Sequence, residues 1–177
     1  LVNTPVLRAF NFLYYRLPRR RQGSSHYEPF FYPLDHVRNW NRIYGPRGFH
    51  QYQFVVPHDG ARAALGEVLA RVAASGQGSF LAVLKTFGNL RSPAMLSFPR
   101  PGVTLALDFP NRGAATKSLF ATLDGIVRQA GGALYPAKDA CMRADDFRRA
   151  YPAWESFQSY LDPRFSSDFW RRVSQRE

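Results

Sequence analysis

Two periodicities alternate along the middle of this chain, and their order leaves few folds open. Residues 49–56, "FHQYQFVV", set Tyr52, Phe54 and Val56 against Gln51, Gln53 and Val55, the period-2 pattern of a strand. Residues 59–75 put Ala61, Leu65, Val68, Leu69 and Val72 on one helical stripe, opened by Asp59 as a cap and stopped by Gly76. "SFLAVLKTF" (79–87) and "VTLALDF" (103–109) read as two strands, separated by a Pro-, Gly-, Ser- and Asn-rich loop over 88–102. Residues 114–130 carry a second stripe, Leu119, Leu123, Ile126, Val127 and Ala130, ended by Gly131-Gly132, and "ALY" (133–135) forms a short last strand. The order β-α-β-β-α-β is that of the ferredoxin-like split unit: an α+β fold with an antiparallel sheet and both helices on one face.

The flanks are less regular. Residues 1–48 are aromatic and irregular, with turn signals at Pro18, Pro29, Pro33 and "YGPRG". Within them "PLDHVRNWNRIYG" predicts a short helix with Val37, Trp40 and Tyr44 on one face. After Pro136, "RADDFRRAYPAWESFQSYLDPRFSSDFWRRV" reads as short amphipathic helices broken at Pro152 and Pro163. This tail adds no strand and is expected to belong to a different structural unit. With 177 residues there is room for one good core, or for one domain and a piece of another. The first residue is Leu, and the chain reads as cut from something longer.

Strand alternation also assigns faces. With both helices on one side, Tyr52, Phe54 and Val56 go to the core, as do Val103, Leu105, Leu107 and Phe109. Gln51, Gln53 and Val55, with Thr104, Ala106 and Asp108, go to the opposite face. The second strand is apolar on both sides, which predicts burial on both sides. The helix-free face is therefore expected to be covered, yet it carries Gln51, Gln53, Lys85 and Thr104. A buried polar group without a partner costs about 1–3 kcal/mol, so these side chains satisfy one another or are satisfied by a ligand. The chain holds only three lysines, Lys85, Lys117 and Lys138, beside 21 arginines. Lys85 sits inside an apolar strand, and Lys138 follows the last strand directly, where function often lies. The plainer reading of Lys138 is a surface lysine paired with Asp139.

Composition narrows the partners. The net charge of +11 suits anionic ones. The densest basic run, Arg16 to Arg21, reads either as a solvated loop or as a phosphate or lipid-headgroup contact. Cys141 is the sole cysteine, which excludes an intrachain disulfide and fits a reducing, cytoplasmic compartment. His26, His36, His50 and His58 have no metal-ligand spacing, so no metal is expected. No apolar run approaches the ~20 residues of a membrane-spanning helix.

The segments "NFLYYRLPRRR", "YPLDHVRNWNRIYGPRGFHQYQFVVP", "SFLAVLKTFG", "LSFPRPGVTLALDFPN", "GGALYPAKDA" and "FRRAYPAWESF" resemble, in order, the C-terminal part of FAD-linked oxidases of the vanillyl-alcohol-oxidase superfamily. The nearest branch is that of the decaprenylphosphoryl-β-D-ribose 2′-oxidases, with the D-arabinono-1,4-lactone oxidases more distant. The resemblance implies that residues 1–132 are the later part of a substrate domain. Residues 133–177 would be a tail that packs on an N-terminal FAD-binding domain, whose phosphate-cradling Gly motif does not occur in this sequence. FAD would be held by the full-length protein and not by this chain, which alone would be inactive. The implied reaction oxidises a secondary alcohol of a sugar or sugar lactone by hydride transfer to flavin N5. By the same resemblance Gln51, Gln53, Lys85, Phe87 and Thr104 contact the substrate. Tyr135 and Lys138 lie at the isoalloxazine, with Lys138 catalytic. The implied partners are a sugar or phosphoribosyl-lipid substrate and the FAD domain, with peripheral contact to the inner membrane. Three positions depart from the branch: Thr104 stands where it has Asn, Ala106 where Cys is common, and Phe31 near a position often Tyr.

Two other functions compete. A basic ferredoxin-like sheet invites an RNA-binding reading, and "RGFHQYQF" echoes the start of an RNP1 motif. That motif belongs on the third strand, whereas this segment is the first, and Gln51 and Gln53 stand where stacking residues are needed; no nucleic-acid partner is expected. A non-catalytic interaction domain would instead leave Gln51, Lys85 and Lys138 scattered and solvated.

Overall fold

The computed structural model describes residues 4–17, 23–32, 38, 39, 42, 44–79, 81–139 and 141–174. Helix α1 spans Thr4–Arg16 and α2 spans Tyr27–Phe31. The central unit follows: β1 (Phe49–Val56), α3 (Ala61–Ser75), β2 (Ala82–Phe87), β3 (Gly102–Pro110), α4 (Ala114–Gln129) and β4 (Ala133–Leu134). A 3₁₀ turn over Pro136–Lys138 leads to α5 (Ala144–Ala150), α6 (Trp154–Phe157) and α7 (Asp168–Ser174). The sheet is antiparallel with order β2-β3-β1-β4, as the ferredoxin-like pattern requires.

β1 and β3 form the centre, in a register that sets Gln51 opposite Asp108, Gln53 opposite Ala106 and Val55 opposite Thr104. On β3's other side Lys85 lies opposite Thr104 and Val83 opposite Ala106. Gly102 lets β3 begin hard against β1: its φ is +155°, and a Cβ there would collide with the Val56 carbonyl. The core lies between the sheet and α3–α4. Tyr52, Phe54, Val56, Leu105, Leu107 and Phe109 fill it from the strands. Ala61, Ala64, Val68 and Val72 come from α3, and Leu119, Phe120, Leu123, Ile126 and Val127 from α4. A fully buried side chain of this size contributes roughly 1.5–3 kcal/mol, so this layer dominates stability.

The short-helix tail is seated on the same core. Phe147, Tyr151, Trp154 and Val173 are buried in it. The Tyr151 hydroxyl donates to the Leu134 carbonyl at 2.6 Å, tying α5 to β4. Buried Asp146 accepts from Arg128 of α4 at 3.1 Å and from Arg149 at 3.2 Å.

Several expectations need correction. The N-terminal region is not irregular throughout: Pro5 falls in the first turn of α1, where its missing N–H is tolerated, and α2 is capped by His26, whose ring nitrogen accepts from the Glu28 N–H. Asp59 does not cap α3; Gly60 occupies that place at φ +79° without a side-chain cap. Leu69 is exposed, because the α3 stripe that meets the sheet is Ala61, Ala64, Val68 and Val72. β2 starts at Ala82 instead of 79. It is also not buried on both faces: it is the sheet's edge, and Ala82, Leu84, Lys85 and Thr86 are all exposed. A doubly apolar strand signals two covered faces only when layers on both sides reach it, and α3 and α4 cover the inner strands. The helix expected around Val37 and Trp40, and most of the basic run (Arg19 to Arg21), lie outside the described residues.

Candidate functional site: a lysine-lined cleft on the helix-free sheet face

On the sheet face turned away from α3 and α4, Tyr44 stacks on Phe49 and meets Asp108 at one end, and the 88–101 loop covers the other. There Val55 and Ala133 are buried beneath Phe98, which the 88–101 loop lays over the sheet. Phe98 stacks on Tyr135 with ring centroids 4.5 Å apart and meets Phe87 edge-on at 5.9 Å. Next to this aromatic cover the face stays open as a cleft of about 170 Å³, lined by Gln51, Gln53, Leu81, Val83, Lys85, Thr104, Ala106, Asp108 and Lys138.

Each polar side chain has an identifiable reason for its place. β1 alternation brings Gln51 and Gln53 to this face, and β3 supplies Thr104, Ala106 and Asp108 opposite them. Lys85 comes from edge strand β2, and Lys138 from the 3₁₀ turn after β4. The Tyr135 N–H donates to the Gln53 carbonyl at 2.8 Å, and the turn that follows brings Lys138 back over β1. The Lys138 ammonium donates to Gln51 Oε1 at 2.5 Å. Gln53 Nε2 donates to Thr104 Oγ1 at 3.2 Å, and the Thr104 hydroxyl donates to the Phe54 carbonyl at 2.7 Å. Lys138 does not pair with Asp139: that carboxylate accepts from the Met142 N–H at 2.5 Å and pairs with Arg172.

Electrostatically the cleft combines two exposed ammonium groups with one buried carboxylate. Asp108 is only 2% exposed. Burial raises its pKa, opposed by hydrogen bonds from Gln51 and Tyr44 and by the charge of Lys138. The Tyr44 hydroxyl donates to Asp108 Oδ2 at 3.4 Å, and burial holds that phenol well above its ordinary range, so it remains a donor. On the other side of β1 the Tyr52 hydroxyl donates to Asp124 at 2.8 Å; burial pushes this carboxyl up to about 6.

Five of the residues singled out from sequence (Gln51, Gln53, Lys85, Thr104 and Lys138) thus meet in one cleft. Phe87 and Tyr135 stand beside it in the aromatic cover. Phe31 is exposed on α2. Asp108, Tyr44 and Phe98 were not singled out. Alternation placed Asp108 on this face, but only the strand register sets it opposite Gln51. Nothing in the loop's composition marks Phe98. Such a cleft can donate hydrogen bonds to anionic or hydroxyl oxygens at two points and accept one between them.

No protein-family model matches the chain. It is 41% identical over 149 residues to the decaprenylphosphoryl-beta-D-ribose oxidase of Mycolicibacterium smegmatis, covering 81% of this chain and 32% of that protein. It is 32% identical over 161 residues to a Streptomyces coelicolor protein described as an uncharacterized protein in the mprA 5′ region, covering 88% of this chain and 43% of that protein. The chain therefore spans about a third of the first relative's length and under half of the second's. The resemblance to such oxidases read from the sequence is borne out, and what the chain resembles is one part of a longer oxidase.

Proposed function

We propose that this chain is the C-terminal portion of an FAD-dependent oxidoreductase that oxidises a secondary alcohol of a sugar, or of a sugar lactone, to the ketone. The observation that carries the reading is the convergence of Gln51, Gln53, Lys85 and Lys138, drawn from three separated segments, on one cleft of the helix-free sheet face. The relative's name makes a phosphoribosyl lipid the first substrate to test.

The donor set suits a flavin and a sugar. Lys138 is held directly by an uncharged amide oxygen, with the Asp108 carboxyl behind it, and its remaining N–H groups would serve an anionic ring or an alcohol oxygen. When bound, the flavin supplies the hydride acceptor at N5. Lys138 would hold the reacting hydroxyl and set a cation near the N1–C2 edge where negative charge develops. Lys85, exposed at the sheet edge, would take a ring hydroxyl or the phosphate. Tyr135 would face the isoalloxazine and Phe87 the substrate. Thr104 would act at the floor of the cleft. In this reading residues 1–132 belong to the substrate domain and 133–177 to a tail that also meets the FAD domain, and the chain alone is inactive. Among the described residues no helix is long and apolar enough to cross a membrane. The net charge of +11 would favour an anionic lipid surface, where a lipid-linked sugar resides.

The test uses the full-length protein. It should purify with the visible absorbance of oxidised flavin, and anaerobic addition of a short-chain prenylphosphoryl-β-D-ribose should bleach it. A full-length protein without flavin would sink the reading.

A further inference from the structure

We propose that Asp108 and Thr104, both buried in β3, are positioning residues that fix which atom of each β1 glutamine faces the cleft; this rests on the oxidoreductase reading above. The hydrogen-bond chemistry forces the orientation. An ammonium only donates, so the atom of Gln51 that meets Lys138 at 2.5 Å is its oxygen. With the oxygen on Lys138, the amide nitrogen of Gln51 is the atom left for Asp108, which lies opposite it in the β1–β3 register. Both ends of Gln51 are therefore committed. It is a strut between a buried carboxylate and Lys138, and its oxygen keeps one lone pair beyond the Lys138 contact.

Gln53 is fixed by the same logic with the opposite result. The Thr104 hydroxyl has one proton, which goes to the Phe54 carbonyl at 2.7 Å. Its oxygen must then accept from Gln53, and it does so from Nε2 at 3.2 Å. Oε1 is left as the acceptor that Gln53 offers. Thr104, at 1% exposure, acts through Gln53 and not on the substrate. The consequence is a substrate rule. A sugar hydroxyl that meets Gln53 can donate to Oε1 or accept the second amide N–H, whereas the groups that meet Lys85 and Lys138 must be acceptors.

The experiment uses the full-length protein labelled with ¹⁵N at glutamine, read by side-chain amide NMR and by steady-state kinetics with a short-chain prenylphosphoryl-β-D-ribose. D108N should move the Gln51 amide resonances and lower kcat about 10- to 100-fold with flavin retained. In a Q51L background D108N should have little further effect, which a merely structural role would not produce. T104V should move the Gln53 resonances and raise KM about tenfold, and T104S should restore both. An unmoved Gln51 amide in D108N, or a full D108N effect in the Q51L background, overturns the assignment of Asp108. An unmoved Gln53 amide in T104V overturns that of Thr104. If D108N does not fold, the T104V and T104S pair still decides the idea. If the wild-type protein lacks flavin or turnover, the functional reading fails, while the amide resonances still decide the orientation.

Discussion

The Lys138 ammonium donates to Gln51 Oε1 at 2.5 Å, joining residues 87 positions apart and placing the cleft's second lysine over the first strand. Asp139, its neighbour in sequence, is engaged by Met142 and Arg172. Lys138 is thereby held by a neutral partner at the rim of a polar cleft, and not as half of a surface ion pair.

In the full-length protein Lys138→Met is expected to lower kcat by about 10²–10³ while the flavin stays bound, the loss typical of one preorganised donor at a developing charge. Steady-state kinetics beside the flavin-to-protein absorbance ratio checks this. An unchanged kcat would remove Lys138 from the chemistry.

Lys85 stands on the exposed edge strand, away from the Gln51–Lys138 contact. Lys85→Met is expected to raise KM about tenfold with kcat little changed, the signature of lost uniform binding. A fall in kcat at constant KM would instead place Lys85 at the reacting atoms.

Asp124 gives a pH prediction for folding. Its folded pKa, about 6, lies above the ordinary value of 3.8, chiefly through burial. A raised carboxyl contributes stability that is fully present below about pH 4 and lost as pH rises through about 6. Asn keeps an acceptor for the Tyr52 hydroxyl and does not titrate. The stability of Asp124→Asn relative to wild type should therefore rise by about 2 kcal/mol between pH 4 and pH 7.5 in urea unfolding. A pH-independent difference would contradict the burial of an ionising carboxyl at this position.

Gly132 passes between β1 and α4 so closely that a Cβ would lie 2.5 Å from the Val55 carbonyl oxygen and 2.9 Å from methyl groups of Val56 and Val127. Gly132→Ala should cost at least about 1–3 kcal/mol, the usual range for overpacking a rigid site. Urea unfolding at neutral pH provides the measurement.

The parts of this molecule legible in its sequence are those where one periodicity governs. β1, α3, β3 and α4 were marked by patterns of 2 and 3.6 residues, and the topology followed from their order. The exposure of β2 was not legible, because apolar alternation does not say how far the covering layers extend. α1 carries Val6, Phe10, Leu13 and Tyr14 at helical spacing, a pattern obscured by the further aromatic residues between and after them. In the cleft, Gln51, Gln53, Lys85 and Lys138 stood out as polar or rare residues at apolar addresses. Asp108 and Tyr44 did not, since their contact joins residues 64 apart and depends on the β1–β3 register. Phe98 lies in a loop, where neither periodicity applies.

The central claim is that this cleft presents a sugar alcohol to a flavin. Anaerobic titration of the full-length protein with a short-chain prenylphosphoryl-β-D-ribose tests it most directly. Stoichiometric loss of the oxidised-flavin absorbance in the wild type, slowed by about 10²-fold or more in Lys138→Met, is the predicted result. A flavin that stays oxidised at saturating sugar lipid, or that is reduced equally fast without Lys138, would contradict it.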